Sequence, residues 1–130
     1  MSYREIKFRG KTNISMGGRW LYGNYGKYGY EKFVTVDDII VNEKTVGQYI
    51  NKKIEEQEIY EGDMLKLNFP HLPLCHGRIF TVRWIQHLCK FVFVDERDMS
   101  FCSPSKILED WEGRIKIIGN IHDGVKDGKV

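Results

Sequence analysis

The stretch Tyr22-Gly23-Asn24-Tyr25-Gly26-Lys27-Tyr28-Gly29-Tyr30 sets aromatic rings and glycines around a single lysine. Just upstream, Arg4, Lys7, Arg9 and Lys11 alternate with Ile6 and Phe8. Rings interleaved with cations are what single-strand nucleic-acid binders use: bases stack on the rings at roughly 1–3 kcal/mol each, and phosphates meet the cations. Arg9, Lys11, Tyr25, Lys27 and Tyr28 are the residues such a module would use. Gly26-Lys27-Tyr28-Gly29 also fits the GxxG of a KH loop, but that loop joins two helices and no helical pattern flanks this one. The plainer role is a bent hairpin whose rings pack on a sheet and whose glycines permit the turns. The basic residues of the first strand would then face outward, with Ile6 and Phe8 inward, guarding an edge against aggregation.

Metal and thiol chemistry has weaker material. His71, Cys75, His76, His87 and Cys89 are zinc-type ligands, yet adjacent Cys75-His76 and the close His87-Leu88-Cys89 lack the paired spacings of structural zinc sites. No metal and no cofactor is expected. Cys75 and His76 are chain neighbours, which point apart on extended backbone and cannot form a thiol–imidazole pair there. The acidic pairs Asp37-Asp38, Asp95-Glu96 and Glu109-Asp110 are likewise adjacent, so each splays where general acid–base catalysis needs convergence. There is no Walker loop, no Gly-x-Ser-x-Gly elbow, no His-Glu-x-x-His and no dinucleotide glycine fingerprint. A non-enzymatic protein is expected.

The elements that carry these residues follow from period-two alternation: short runs rich in Val, Ile, Phe, Tyr and Trp are broken by Gly, Asn, Asp and Pro. The expected fold is all-β. Ile39–Val41 and Val46–Ile50 flank the turn-like Asn42-Glu43-Lys44-Thr45 and predict a hairpin. Leu65, Leu67 and Phe69 predict one buried face, and Phe80, Val82 and Trp84 another. In Lys90-Phe91-Val92-Phe93-Val94 both faces are apolar, which suits a strand covered by a second layer or by a subunit. Phe91, Val92, Phe93 and Val94 are therefore the candidate oligomer interface. Ser103 as cap and Pro104 at the first helical position predict at most one short helical turn. In Glu61-Gly62-Asp63 the glycine supplies positive φ and Asp63 fixes the turn; Gly47 and Gly119, each inside an apolar strand pattern, mark a bulge or a close backbone approach.

At 130 residues, 42% hydrophobic and 13% aromatic, the chain can bury a core of its own. It is expected to form one compact unit over residues 1–124, with an irregular half to residue 60, an SH3-like or OB-like partly open barrel over 61–124, and a frayed tail at 125–130. The charged stretch 51–61 is the seam between the halves. Three cysteines at unrelated spacings argue against a disulfide framework. No apolar run approaches a membrane span, and the start lacks a signal-peptide pattern, so a cytoplasmic protein is expected. The net charge of +2 does not demand a polyanionic partner. It is unevenly spread, with six bases against one acid in residues 1–30 and nine acids against four bases in residues 31–64. Such polarity favours head-to-tail self-association or a modest anion site.

Five segments together resemble the YopX family: Arg4-Glu5-Ile6-Lys7-Phe8-Arg9-Gly10-Lys11, Trp20-Leu21-Tyr22-Gly23, Thr45-Val46-Gly47-Gln48-Tyr49, Glu58-Ile59-Tyr60-Glu61-Gly62-Asp63 and Ile117-Ile118-Gly119-Asn120-Ile121. The resemblance covers nearly the whole chain, departing from the family's pattern at residues 50–57 and after Ile121. It implies a phage- or prophage-encoded protein of a bacterial host cell, largely β and homo-oligomeric, with no assigned catalytic residues. The expectation is thus an oligomeric interaction protein that binds a host or phage protein and no membrane. A nucleic-acid-binding β module is the alternative.

Overall fold

The computed structural model describes residues 5–28, 33–71, 76–111 and 113–125. Strands take up 52% of them and helical turns 14%, so the protein is mainly β, as the alternation predicts. The chain falls into two compact units, Met1–Asn51 and Lys52–Val130. The division lies at the head of the charged stretch 51–61, not at residue 60.

In the first unit, β1 (Phe8–Lys11) pairs antiparallel with β2 (Trp20–Gly23) on one side. A 3-10 turn, Ile14–Met16, lies in the connection between them. On its other side β1 meets the start of β6 (Gly47–Ile54). A separate antiparallel sheet contains β3 (Tyr25–Tyr28), β4 (Phe33–Val36) and β5 (Ile39–Ile40), with β4 in the middle. Val34, Val36 and Val41 form this unit's core, with Leu21 and Val46 packed against it. Gly10 is required there. A Cβ at that position would sit 2.8 Å from Val41 Cγ2 and 3.0 Å from Val36 Cγ2, and β-branched side chains have little freedom to yield.

Two expectations fail in this unit. Asn42–Thr45 is not a hairpin loop: β5 pairs back onto β4 while β6 pairs with β1. The segment is instead a capped turn, in which Asn42 Oδ1 accepts the Lys44 N–H at 3.0 Å and Thr45 Oγ1 accepts the Lys11 N–H at 2.8 Å. Local side-chain bonds of this kind compete with strand pairing. Arg9 of β1 is also buried where an outward side chain is expected, and Ile6, just before the strand, is exposed where an inward one is expected.

The second unit opens on a tight turn at Glu55-Glu56, both at positive φ, after which β7 (Gln57–Tyr60) returns beside the end of β6. Gly62 adopts φ +94°, and Asp63 Oδ2 accepts the Tyr60 N–H at 2.8 Å, the turn role read for both. Then follow β8 (Asp63–Leu67), β9 (Ile79–Ile85), β10 (Lys90–Asp95), β11 (Ser100–Cys102), α1 (Pro104–Asp110), β12 (Ile115–Asn120) and β13 (Gly124–Val125). These strands make one antiparallel sheet in the order β11-β10-β9-β8-β12-β13, curled into a half-barrel. Register aligns Leu65 with Phe80 and Ile117, Leu67 with Ile115, and Val82 with Phe93, so these residues share one face. The ladder shifts between Ile117 and Gly119, the bulge being one of the two outcomes expected there, while Gly47 pairs opposite Arg9 with no such shift. Pro104 opens α1, which runs seven residues, longer than the single turn the sequence suggests. Ser103 occupies the cap position without a side-chain bond. Val125 belongs to β13, and the rest of the expected tail lies outside the described residues.

Candidate functional site

Antiparallel pairing puts directly opposed residues on one face, and Arg9 opposes Tyr22 while Lys11 opposes Trp20. The result is a ladder of cations on rings. The Arg9 guanidinium lies 4.7 Å from the Trp20 ring centroid, Lys11 Nζ lies 6.0 Å from it, and Lys7 Nζ lies 5.4 Å from the Tyr49 centroid. Lys7 also bonds Glu5 at 3.0 Å. Contacts at these distances hold side chains in place. Arg9 is only 6% exposed, so its role is within the fold and it leaves the set of phosphate contacts. Arg4 lies outside the described residues.

The other three nucleic-acid candidates sit on β3. Tyr25 packs against Phe8 at a centroid distance of 5.3 Å yet stays 44% exposed. Lys27, two residues on and therefore on the same face, is exposed. Tyr28 closes the strand opposite Phe33. Gly29 and Tyr30 are not among the described residues. The structure thus joins Tyr25 and Lys27 on one strand face and separates them in role from buried Arg9.

The interface candidates require a correction. Val92, Phe93 and Val94 are buried in the single chain and Phe91 is half-buried against Trp84, their rings 5.0 Å apart. The two apolar faces of β10 are covered without a subunit. Trp84, beside Phe91, keeps 40% exposure, and other exposed apolar side chains include Ile14, at 94%, and Met16 on the β1–β2 connection, Ile39 and Ile40 on edge strand β5, and Met99 and Phe101 at edge strand β11. Ile14 and Met16 escape an alternation-based reading because neither belongs to a run. The visible signal is two isolated apolar residues between Asn13 and a Gly17-Gly18 pair.

Among the described residues, two of the clefts lie within the second unit. One, of about 460 Å3, has an apolar floor of Ile54, Leu108 and Ile115, with Lys53, Glu55, Glu56 and Gly113 around it. The other, of about 360 Å3, is lined by Met64, Gly77, Ile79, Thr81, Asp95, Glu96 and Arg97. Its charges are mutually engaged. Asp95, 1% exposed, accepts from Arg78 Nε at 2.8 Å, from the Arg97 N–H at 3.0 Å and from an Arg97 terminal nitrogen at 3.4 Å. Burial alone would push its carboxyl up, but these donors outweigh it and hold the group below the usual carboxylate range. Glu96, lining the same cleft, meets Arg83 at 2.6 Å, so the two adjacent acids have different partners.

Among the described residues no group of three or more His, Cys, Asp or Glu side chains is arranged to hold a metal. His76 Nδ1 accepts the Phe69 N–H at 3.1 Å, and Cys89 Sγ contacts the Gln86 carbonyl at 3.3 Å; Cys75 lies outside the described residues. Cys102, desolvated by burial, has its thiol pKa raised, away from the thiolate a nucleophile needs. No described helix is long and apolar enough to cross a membrane. Compared with family models, curated proteins and solved structures, the chain matches none.

Proposed function

We propose that the chain is a YopX-type, phage- or prophage-encoded protein that acts in the bacterial cytoplasm without catalysis, as a self-assembling module that docks a protein partner. The observation that supports this reading is where the apolar surface remains. Ile14, Met16, Met99, Phe101, Ile39 and Ile40 are exposed on edge strands and a connection, where contact with another chain costs the core nothing. The uneven charge along the sequence gives such contacts complementary signs. Absolute mass by light scattering tests it, and a concentration-dependent multimer is the expected result. A monomer across the accessible concentration range would sink the reading.

Exposed Tyr25 and Lys27 on one face of β3 favour a second reading, a modest single-strand nucleic-acid contact. The same scattering measurement with a short single-stranded oligonucleotide separates the two. A mass increase abolished by high salt puts nucleic acid first, and an unchanged multimer leaves the protein-docking reading in place.

A further inference from the structure

On the reading that the protein self-assembles, we propose where the contact lies: the β1–β2 connection of one copy, carrying Ile14 and Met16, seats in the Ile54, Leu108 and Ile115 groove of a second copy. Arg19 meets Glu55 and Glu56 at the rim.

The connection is a preformed knob. The Asn13 carbonyl accepts the Met16 N–H at 2.8 Å and the Gly18 N–H at 3.0 Å, and the Ile14 carbonyl accepts the Gly17 N–H at 3.0 Å. Gly17 and Gly18 stand at φ +102° and +58°, which closes the turn tightly. Both apolar side chains are held outward by backbone bonds, so little order is lost on docking. The receiving groove, about 460 Å3, is of the size that takes apolar side chains; Ile54 and Ile115 in it are buried within the fold and Leu108 is half-buried. Its rim is fixed as well, because Glu55 and Glu56 occupy the turn between β6 and β7.

Charge selects this pairing over the alternatives. Arg19 is exposed at the base of the knob, and neither it nor Glu55 or Glu56 has an ion-pair partner among the described residues; with Lys53 also lining the groove, its charged side chains leave a net negative rim. The second cleft is a poorer receiver, since its charged residues already pair with Arg78, Arg97 and Arg83. The residues of the knob's unit sum to +3, eight bases against five acids, and those of the groove's unit to −1, twelve against thirteen. Knob and groove are different surfaces, so the contact is head-to-tail. Used once per copy, such a contact closes into a ring or extends as a filament; exchanged reciprocally between two copies, it gives a two-fold pair.

The test is light scattering of the full chain over a concentration series, with circular dichroism to check folding. It compares wild type, Ile14→Glu, Arg19→Glu, a Glu55→Arg/Glu56→Arg variant, and the swap that combines Arg19→Glu with both groove reversals. The expected result is a multimeric wild type, association weakened at least about tenfold in the first three, and mass restored in the swap. A multimeric wild type whose variants all keep its mass overturns this contact while leaving self-assembly standing. A monomeric wild type overturns both. A swap that stays dissociated overturns the pairing of Arg19 with the turn. A monomer whose groove takes up an unrelated arginine–leucine peptide assigns it to a foreign partner and overturns the second-copy assignment.

Discussion

Asp95 shows how one side chain can look like a site and serve as a brace. It is buried and acidic beside a cleft, but Arg78 and Arg97 occupy its oxygens, and it ties β10 to the turn before β11. Its carboxyl titrates below the ordinary value, so its contribution to stability is complete above the unfolded pKa, about 4. That contribution is lost as pH falls through the lower folded value. Asp95→Asn is therefore expected to destabilise the protein by about 1.5–3 kcal/mol at neutral pH, the worth of hydrogen bonds to a charged group. Urea titrations from about pH 7 to about pH 2 should show the gap narrowing in acid; a gap independent of pH would mean that the charge contributes nothing. Arg9 makes a parallel point. A cation alternating with apolar residues reads as solvated, and only the position of Trp20 across the sheet shows that it is buried.

At the scale of elements, the turn of the β6–β7 hairpin is the least expected feature. Glu55 and Glu56 stand at φ +50° and +68°, the positive values that a type I′ turn needs at both central positions. Asparagine-glycine is the usual choice there, and left-handed backbone costs other residues roughly 1–2 kcal/mol each. Glu55→Asn combined with Glu56→Gly should raise stability by about 1 kcal/mol in urea titration. The change also removes both carboxylates proposed to meet Arg19 of a second copy, so added stability should accompany weaker association. Unchanged stability would show that the turn carries no strain. Elements set by local pattern were legible: the alternation of β8, the glycine at 62, the bulge at Gly119 and the proline opening α1 follow from nearby residues alone. Partner choice was not. The pairing of β6 with β1 was misread because sequence order favours the nearer strand, and nothing within Asn42–Thr45 announces that its turn closes on itself. The interface on β10 was misread for a related reason: two apolar faces say that a strand is covered and leave open by what. Tyr25, Lys27 and the charge imbalance were visible beforehand; the pairing of knob with groove rests on tertiary placement.

For the whole molecule, division at Asn51 gives each unit its own apolar centre, valines in the first and the half-barrel face in the second. The half-barrel has one long-range joint. β8, β9 and β10 each meet the next strand in the chain, but β8 lies inside the sheet only because β12 returns to its far side, Ile115 opposite Leu67 and Asn120 opposite Asp63. During synthesis β8 therefore emerges with one flank open and keeps it open until α1 and β12 have followed. Loop closure over that distance comes late in folding. Pulsed hydrogen exchange should find the Asn68 and Ile121 amides, which donate to Arg114 and Gly62 at 2.7 and 2.9 Å, protected after those within β9 and β10; simultaneous protection would refute this order. Until that moment the exposed flank of β8 is a nascent chain's sticky edge, and the timing of its last neighbour sets how long the newly made protein is open to aggregation.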